Sequence, residues 1–250
     1  MKDKIYTIPV TDAYASECAC PLCFLKSEIA EKTVDYYLGP SLMEPDVRTE
    51  TNKVGFCAEH LSMMYKKEIN RLGMGLMLHT HLKDVREDVE EDLAKIAPEP
   101  GSFFKGRDKD YKQNLEALAD KIEKRSSTCI VCKRIDYTME RYLEVLFWMF
   151  FEHPGFREQF EKKSRYCLPH LAVLLRSAGK YLNQKQAAEF LRLLSGLERE
   201  GLHQMEGELE WFTLKFDYRN TSKPWGNSKD AVPRGISFLG GEANLENEKK

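Results

Sequence analysis

Apolar residues recur at three- and four-residue spacing along most of the chain. Leu22, Leu25, Ile29, Val34, Tyr37 and Leu38 approximate one helical face, and the run ends at Gly39-Pro40. A longer helical pattern fills residues 60–96, with a bend expected at Gly73 and Gly75 and a stop at Pro98 and Pro100. Helical spacing resumes over 111–124, 132–151, 154–163, 168–182 and 184 to about 216, whereas alternating strand-type segments are nearly absent. The pattern predicts an all-α fold. The run PEPGSFFKGRDKD marks a linker over 98–110, between an N-terminal helical lobe at 1–97 and a C-terminal one at 111–216. Residues 217–250 read as an irregular segment ending in a polar, mobile tail.

Composition narrows the class of molecule. A chain of 250 residues that is 42% hydrophobic can build one large core or two small ones, which excludes bulk disorder. The longest apolar run, residues 142–151, includes Glu144 and is half of the ~20 residues a membrane helix needs, so no membrane span is expected. The first residues lack the apolar core of a secretory signal, and a cytoplasmic location follows. In that compartment the seven cysteines are expected to be reduced, and their odd number points to metal or thiol chemistry. The net charge of −2 conceals an asymmetry: residues 1–100 carry 12 basic and 18 acidic side chains, residues 101–185 carry 17 and 11. The basic block suits either attraction between the two halves or an acidic or nucleic-acid partner.

The cysteines fall into a repeated frame. Cys20-Pro-Leu-Cys23 is followed by Cys57-Ala-Glu-His60, and Cys129-Ile-Val-Cys132 by Cys167-Leu-Pro-His170. Pro45 and Arg48 precede the first C-x2-H as Pro154 and Arg157 precede the second, so the chain reads as an internal duplication about 110 residues apart. A C-x2-C turn and a Cys and His three apart at a helix start each aim two donors at one ion. The expectation is therefore two closed Cys3His sites, one per lobe, each holding structural Zn2+, with Cys20, Cys23, Cys57 and His60 as one set and Cys129, Cys132, Cys167 and His170 as the other. Two zinc ions per chain are expected. An iron–sulfur cluster and a redox switch that releases the ion are competing readings, and Cys18 stands outside both sets.

Other features carry less. His79 and His81, two apart on a helix, point to different faces; His153 and His203 read as surface or capping residues. Phe147, Trp148, Met149, Phe150 and Phe151 make their helix apolar on all sides, as burial between layers requires. No phosphate-binding or nucleophile-elbow motif is present. In 216–234, Arg219, Trp225, Asp230 and Arg234 form either a small-molecule site or a latch in which Trp225 inserts into the helices.

The segments KIYTIPVTDAY, CPLC, YLGPSLMEPDVRTETNKVGFCAEH, NRLGMGLMLHTHL, YCLPHL and FDYRNTSKPWGNSKDAVPR resemble an uncharacterised bacterial family of similar length, a domain of unknown function. The resemblance covers nearly the whole chain and implies one coherent protein without supplying an activity. The function expected from the residues is a non-enzymatic scaffold with a protein partner. A nucleic-acid-associated role using Lys121, Lys124, Arg125, Lys133, Arg134, Lys162, Lys163 and Arg165 stands as the alternative, and a site near 216–234 as a second.

Overall fold

The computed structural model describes residues 4–97, 110–163 and 165–241. The linker expected over 98–110 lies outside the described residues but for its last position, and so does the expected mobile tail. Among the described residues there is no strand. The duplication is visible element by element. The first repeat supplies α1 (Thr7–Ala15), α2 (Pro21–Leu38), α3 (Pro45–Val54), α4 (Ala58–Lys66) and α5 (Arg71–Ile96). The second supplies α6 (Tyr111–Ser127), α7 (Ile130–Glu152), α8 (Pro154–Glu161), α9 (Leu168–Tyr181) and α10 (Gln184–Leu214). Pro45 and Pro154 each open the short third helix of their repeat, where a missing N–H costs nothing.

The helices α1 and α3 lie where the sequence pattern assigned none, and two further elements differ from that reading. The run 60–96 is broken between Lys66 and Arg71 rather than bent at its glycines, because Glu68 and Asn70 adopt positive φ. Asn70 repays that conformation by capping α5: its side chain accepts from Gly73 N–H at 3.0 Å and donates to Leu38 O at 2.6 Å. The irregular C-terminal segment contains a further helix, α11 (Ala231–Gly240), which buries Ala231, Gly235 and Phe238 at one-turn spacing. Its apolar stripe is too short to stand out from sequence alone.

The chain divides into two compact units, Met1–Ser27 with Thr138–Lys250, and Glu28–Tyr137. Both boundaries cut through helices, α2 and α7, so neither unit is a consecutive repeat. The first unit has an aromatic core in which Phe147, Phe150, Phe160 and Phe190 meet with ring centroids 5.0–5.4 Å apart. Of the 147–151 cluster, Phe147, Met149 and Phe150 are buried as expected, whereas Trp148 and Phe151 are half-buried. Tyr14 of α1 packs onto Phe156 and Phe160 of α8 at 4.9 and 5.6 Å, so the start of the first repeat is held by the second. The second unit buries Leu38, Leu42, Met64, Met74 and Met77, a flexible-sided core beneath the first two turns of α5. No described helix is long and apolar enough to cross a membrane.

Candidate metal centres

Four helices begin at a cysteine of the repeated frame. Cys57 and Cys167 are the N-caps of α4 and α9, and Cys20 and Cys129 immediately precede α2 and α7. In each case the cysteine carbonyl accepts the first helical hydrogen bond, from Phe24, Leu61, Lys133 and Leu171 N–H. The second member of each pair, Cys23, His60, Cys132 or His170, lies three residues on, in the first turn. These are the N-cap and N3 positions, which in an ordinary capping box each bond the other's backbone N–H. Here they carry sulfur and imidazole donors, and the unsatisfied N–H groups and positive end of each helix dipole lie beside them.

The donors assemble across the repeats. Cys20, Cys23, Cys167 and His170 form one group and Cys57, His60, Cys129 and Cys132 the other, with the ligand atoms of each within 4.8 Å of one another. All eight residues predicted as ligands are brought together, but the expected pairing of each C-x2-C with the C-x2-H that follows it is overturned. Each C-x2-C joins the C-x2-H of the other repeat. In the first centre His170 Nδ1 is 3.1 Å from Cys167 Sγ, 3.2 Å from Cys23 Sγ and 3.6 Å from Cys20 Sγ. In the second, His60 Nδ1 is 3.1, 3.4 and 3.5 Å from the sulfurs of Cys57, Cys132 and Cys129. The cysteines are free thiols. Cys23 and Cys167 stand 3.5 Å apart, well beyond the ~2.05 Å of a disulfide.

Hydrogen bonds from other residues explain the exchange. Thr128 Oγ1 donates to Val54 O at 2.6 Å and Ile130 N–H to Gly55 O at 3.0 Å, which ties the approach to Cys57 against the turn carrying Cys129. Pro21 stands where Ile130 does in the other repeat and has no N–H to give, so the first centre is clipped differently. Tyr14 and Tyr166 share a buried hydroxyl hydrogen bond of 2.7 Å, and Tyr166 N–H donates to Glu198 Oε1 at 2.6 Å. Tyr14, Tyr166 and His81 lie in segments the sequence singles out, but nothing there announces these contacts, and Glu198 lies in none of them. His81, discounted as a ligand, donates from Nδ1 to Asn52 O at 2.6 Å and packs over Gly55.

Gly55 adopts φ +73°, and a Cβ there would lie 2.5 Å from His81 Nε2. Gly55→Ala is expected to cost about 1–3 kcal/mol in backbone strain before His81 moves, and to lower metal content at the second centre alone. Thermal unfolding and metal analysis of the variant test this.

Without a cation, the thiols of each centre compete. Hydrogen bonds with Cys20 and Cys23 hold Cys167 down to about 3, while the same contact pushes Cys23 far up. In the second centre burial opposes ionisation of Cys129, yet hydrogen bonds from His60 and from its neighbours bring it to about 6. Burial and neighbouring thiols push Cys57 and Cys132 up. Ionisation of Cys167 and of Cys129 is thus favoured while that of Cys23, Cys57 and Cys132 is opposed. A dication is the species that lets all three ionise together, so the donor sets fit a metal ion.

Burial also lifts Glu198 to about 7, against the hydrogen bond from Tyr166 N–H, and its Oε2 has no partner. Folding then takes up a proton between about pH 4.5 and 7, so stability falls as pH rises through that window. Glu198→Gln keeps an acceptor for Tyr166 and removes the charge. The variant is expected to match the parent near pH 5 and exceed it by about 1–3 kcal/mol at pH 8 in denaturant unfolding.

The remaining candidates sit away from the centres. Cys18 donates to Ala13 O at 3.5 Å and joins neither group. Trp225 packs beside Phe212 and Phe216, and Lys215 Nζ, buried beneath it, donates to the carbonyls of Asn220, Thr221 and Lys223. Arg219 pairs with Asp217 on the surface, and Arg234 with Glu208 and Asp230. In the basic block, Lys163 donates to Ser16 O and Arg165 is buried over Phe238, so those charges are used internally.

A family described as a family of unknown function (DUF6062) matches residues 1–246. No curated protein and no solved structure matches the chain.

Proposed function

Because the chain belongs to DUF6062, a family of unknown function, its role has to be argued from the two centres, and we propose that each holds one structural Zn2+ within a non-enzymatic, helical interaction scaffold. The observation that carries this reading is the donor set. Three sulfurs and one imidazole nitrogen occupy four positions, so no position is left for water or substrate, as in structural rather than catalytic zinc. A tetrahedron with Zn–S of about 2.3 Å and Zn–N of about 2.0 Å has edges of roughly 3.5–3.8 Å. The second centre's Cys57–Cys132 and Cys129–His60 separations, 3.8 and 3.5 Å, suit it. Three thiolates and one dication leave a net charge of −1, which the two helix N-termini at each centre favour. When bound, the ion supplies the positive charge that keeps three thiolates together. The residues supply the rest: Cys57 and Cys167 orient their sulfurs from the N-cap, His60 and His170 offer Nδ1, and Gly55, Thr128 and Tyr166 fix the approach of the two chain segments.

Iron bound as a cluster would bring visible absorbance, and a catalytic ion would need an open position. Elemental analysis of the purified chain is expected to give two zinc per molecule, with one lost on Cys57→Ser and one on Cys167→Ser. Iron, or no metal, would overturn the reading. The partner is proposed to be a protein, bound by a surface that metal removal would disorganise.

A further inference from the structure

The unit Glu28–Tyr137 contains a cavity of about 290 Å³ that the metal centres do not use. Its floor is aliphatic: Val54 from the end of α3, Val85 and Val89 from α5, and Ile122 from α6. Charges stand around this floor. Lys121 pairs with Asp92, and Arg125 with Asp88 at 3.7 Å. Lys53, Lys124 and Lys133 have no carboxylate partner among the described residues, so the cavity keeps three uncompensated ammonium groups beside an apolar surface. No residue lining it is aromatic. An adjoining cavity of about 480 Å³ sets Arg48, Lys53 and Arg125 against Asp84, Glu87 and Asp88, and its balanced charge expresses no such preference.

We propose that the smaller cavity binds an amphipathic anion, a carboxylate or phosphate head on a short aliphatic body. The head is recognised by Lys53, Lys124 and Lys133, and the body lies on Val85, Val89 and Ile122. Each buried methylene should strengthen binding about fourfold, the equivalent of ~0.8 kcal/mol. The volume is near the lower limit of ligand pockets, about 300–1,000 Å³, and suits one short chain rather than a membrane lipid. Single-stranded nucleic acid is disfavoured because its bases stack on aromatic side chains, which this floor lacks.

Titration calorimetry on the intact chain tests the assignment with butyrate, hexanoate, octanoate, octyl phosphate, octylammonium, inorganic phosphate and a ten-nucleotide single-stranded DNA. Affinity is expected to climb about fourfold per methylene along the carboxylates, and to fall with salt. Inorganic phosphate and octylammonium should not bind, and the tighter of octanoate and octyl phosphate identifies the head. Lys124→Glu should weaken the octyl anion about tenfold, and Ile122→Glu should abolish its binding. Both positions are exposed, so circular dichroism and melting should match the parent. Affinity independent of chain length, equal binding of octylammonium, no binding of either octyl anion, or no change on Lys124→Glu would overturn the proposal. So would DNA binding that Lys124→Glu removes in place of octanoate binding.

Discussion

Cys20→Ser combined with Cys167→Ser should leave one zinc ion per chain, whereas Cys20→Ser combined with Cys57→Ser should leave none. The first pair of substitutions falls in one centre and damages it twice; the second pair removes one sulfur from each centre. Sequential pairing within each repeat would give the reverse result, with one ion surviving the Cys20/Cys57 double variant. Metal content thus reads the topology directly, independently of any activity. Thermal unfolding should follow the same division. Structural zinc contributes of order 10 kcal/mol to the segments it ties. The Cys20/Cys167 variant should lose the cooperative melting of the unit built from Met1–Ser27 and Thr138–Lys250, while the Cys20/Cys57 variant should lose both transitions. A Cys20/Cys57 variant that retained one zinc and one sharp transition would refute the exchanged pairing.

The eight candidate ligands were legible because metal binding constrains residue type and spacing, and both survive in sequence. Helical periodicity likewise showed where most helices lie, since it reflects burial of one face. The pairing was not legible, because the two C-x2-C elements are chemically alike and so are the two C-x2-H elements. Proximity along the chain favours local closure only weakly. Joining Cys23 to Cys167 spans 144 residues in place of 34, and Cys57 to Cys132 spans 75. At (3/2)RT ln n these longer closures cost only about 1.3 and 0.7 kcal/mol more. One or two good contacts exceed that, and Thr128 to Val54, Ile130 to Gly55 and Tyr14 to Tyr166 are such contacts. They are single hydrogen bonds between residues far apart in sequence, with no periodic signature to announce them. The break between α4 and α5 was hidden for a related reason. Asn70 looks like any polar helix residue until its cap and its bond to Leu38 O are seen.

The exchange also predicts how the chain behaves when cut. A protease site placed among residues 101–106, within the Pro- and Gly-rich stretch, would divide the molecule into its two repeats. Repeats that each closed their own site would separate after cleavage, each with one metal ion. With exchanged sites, each piece holds half of both centres. The N-terminal piece brings α1, Cys20 and Cys23 to the centre completed by Cys167 and His170, and brings Cys57 and His60 to the one completed by Cys129 and Cys132. Separation would have to break four metal–ligand bonds and uncover Tyr14, which is fully packed against Phe156 and Phe160. The nicked protein should therefore elute as one species carrying two zinc ions and melt near the uncut chain. A chelator should then divide it into two poorly helical fragments. Because nicking leaves both donor sets and their clips intact, the dissociation constant of the pieces should depend steeply on free zinc concentration. It should fall as the inverse square of that concentration when both ions are released on separation. A dependence on the first power would mean that one ion stays with a fragment, and independence from zinc would mean that packing of the aromatic core alone holds the two repeats together.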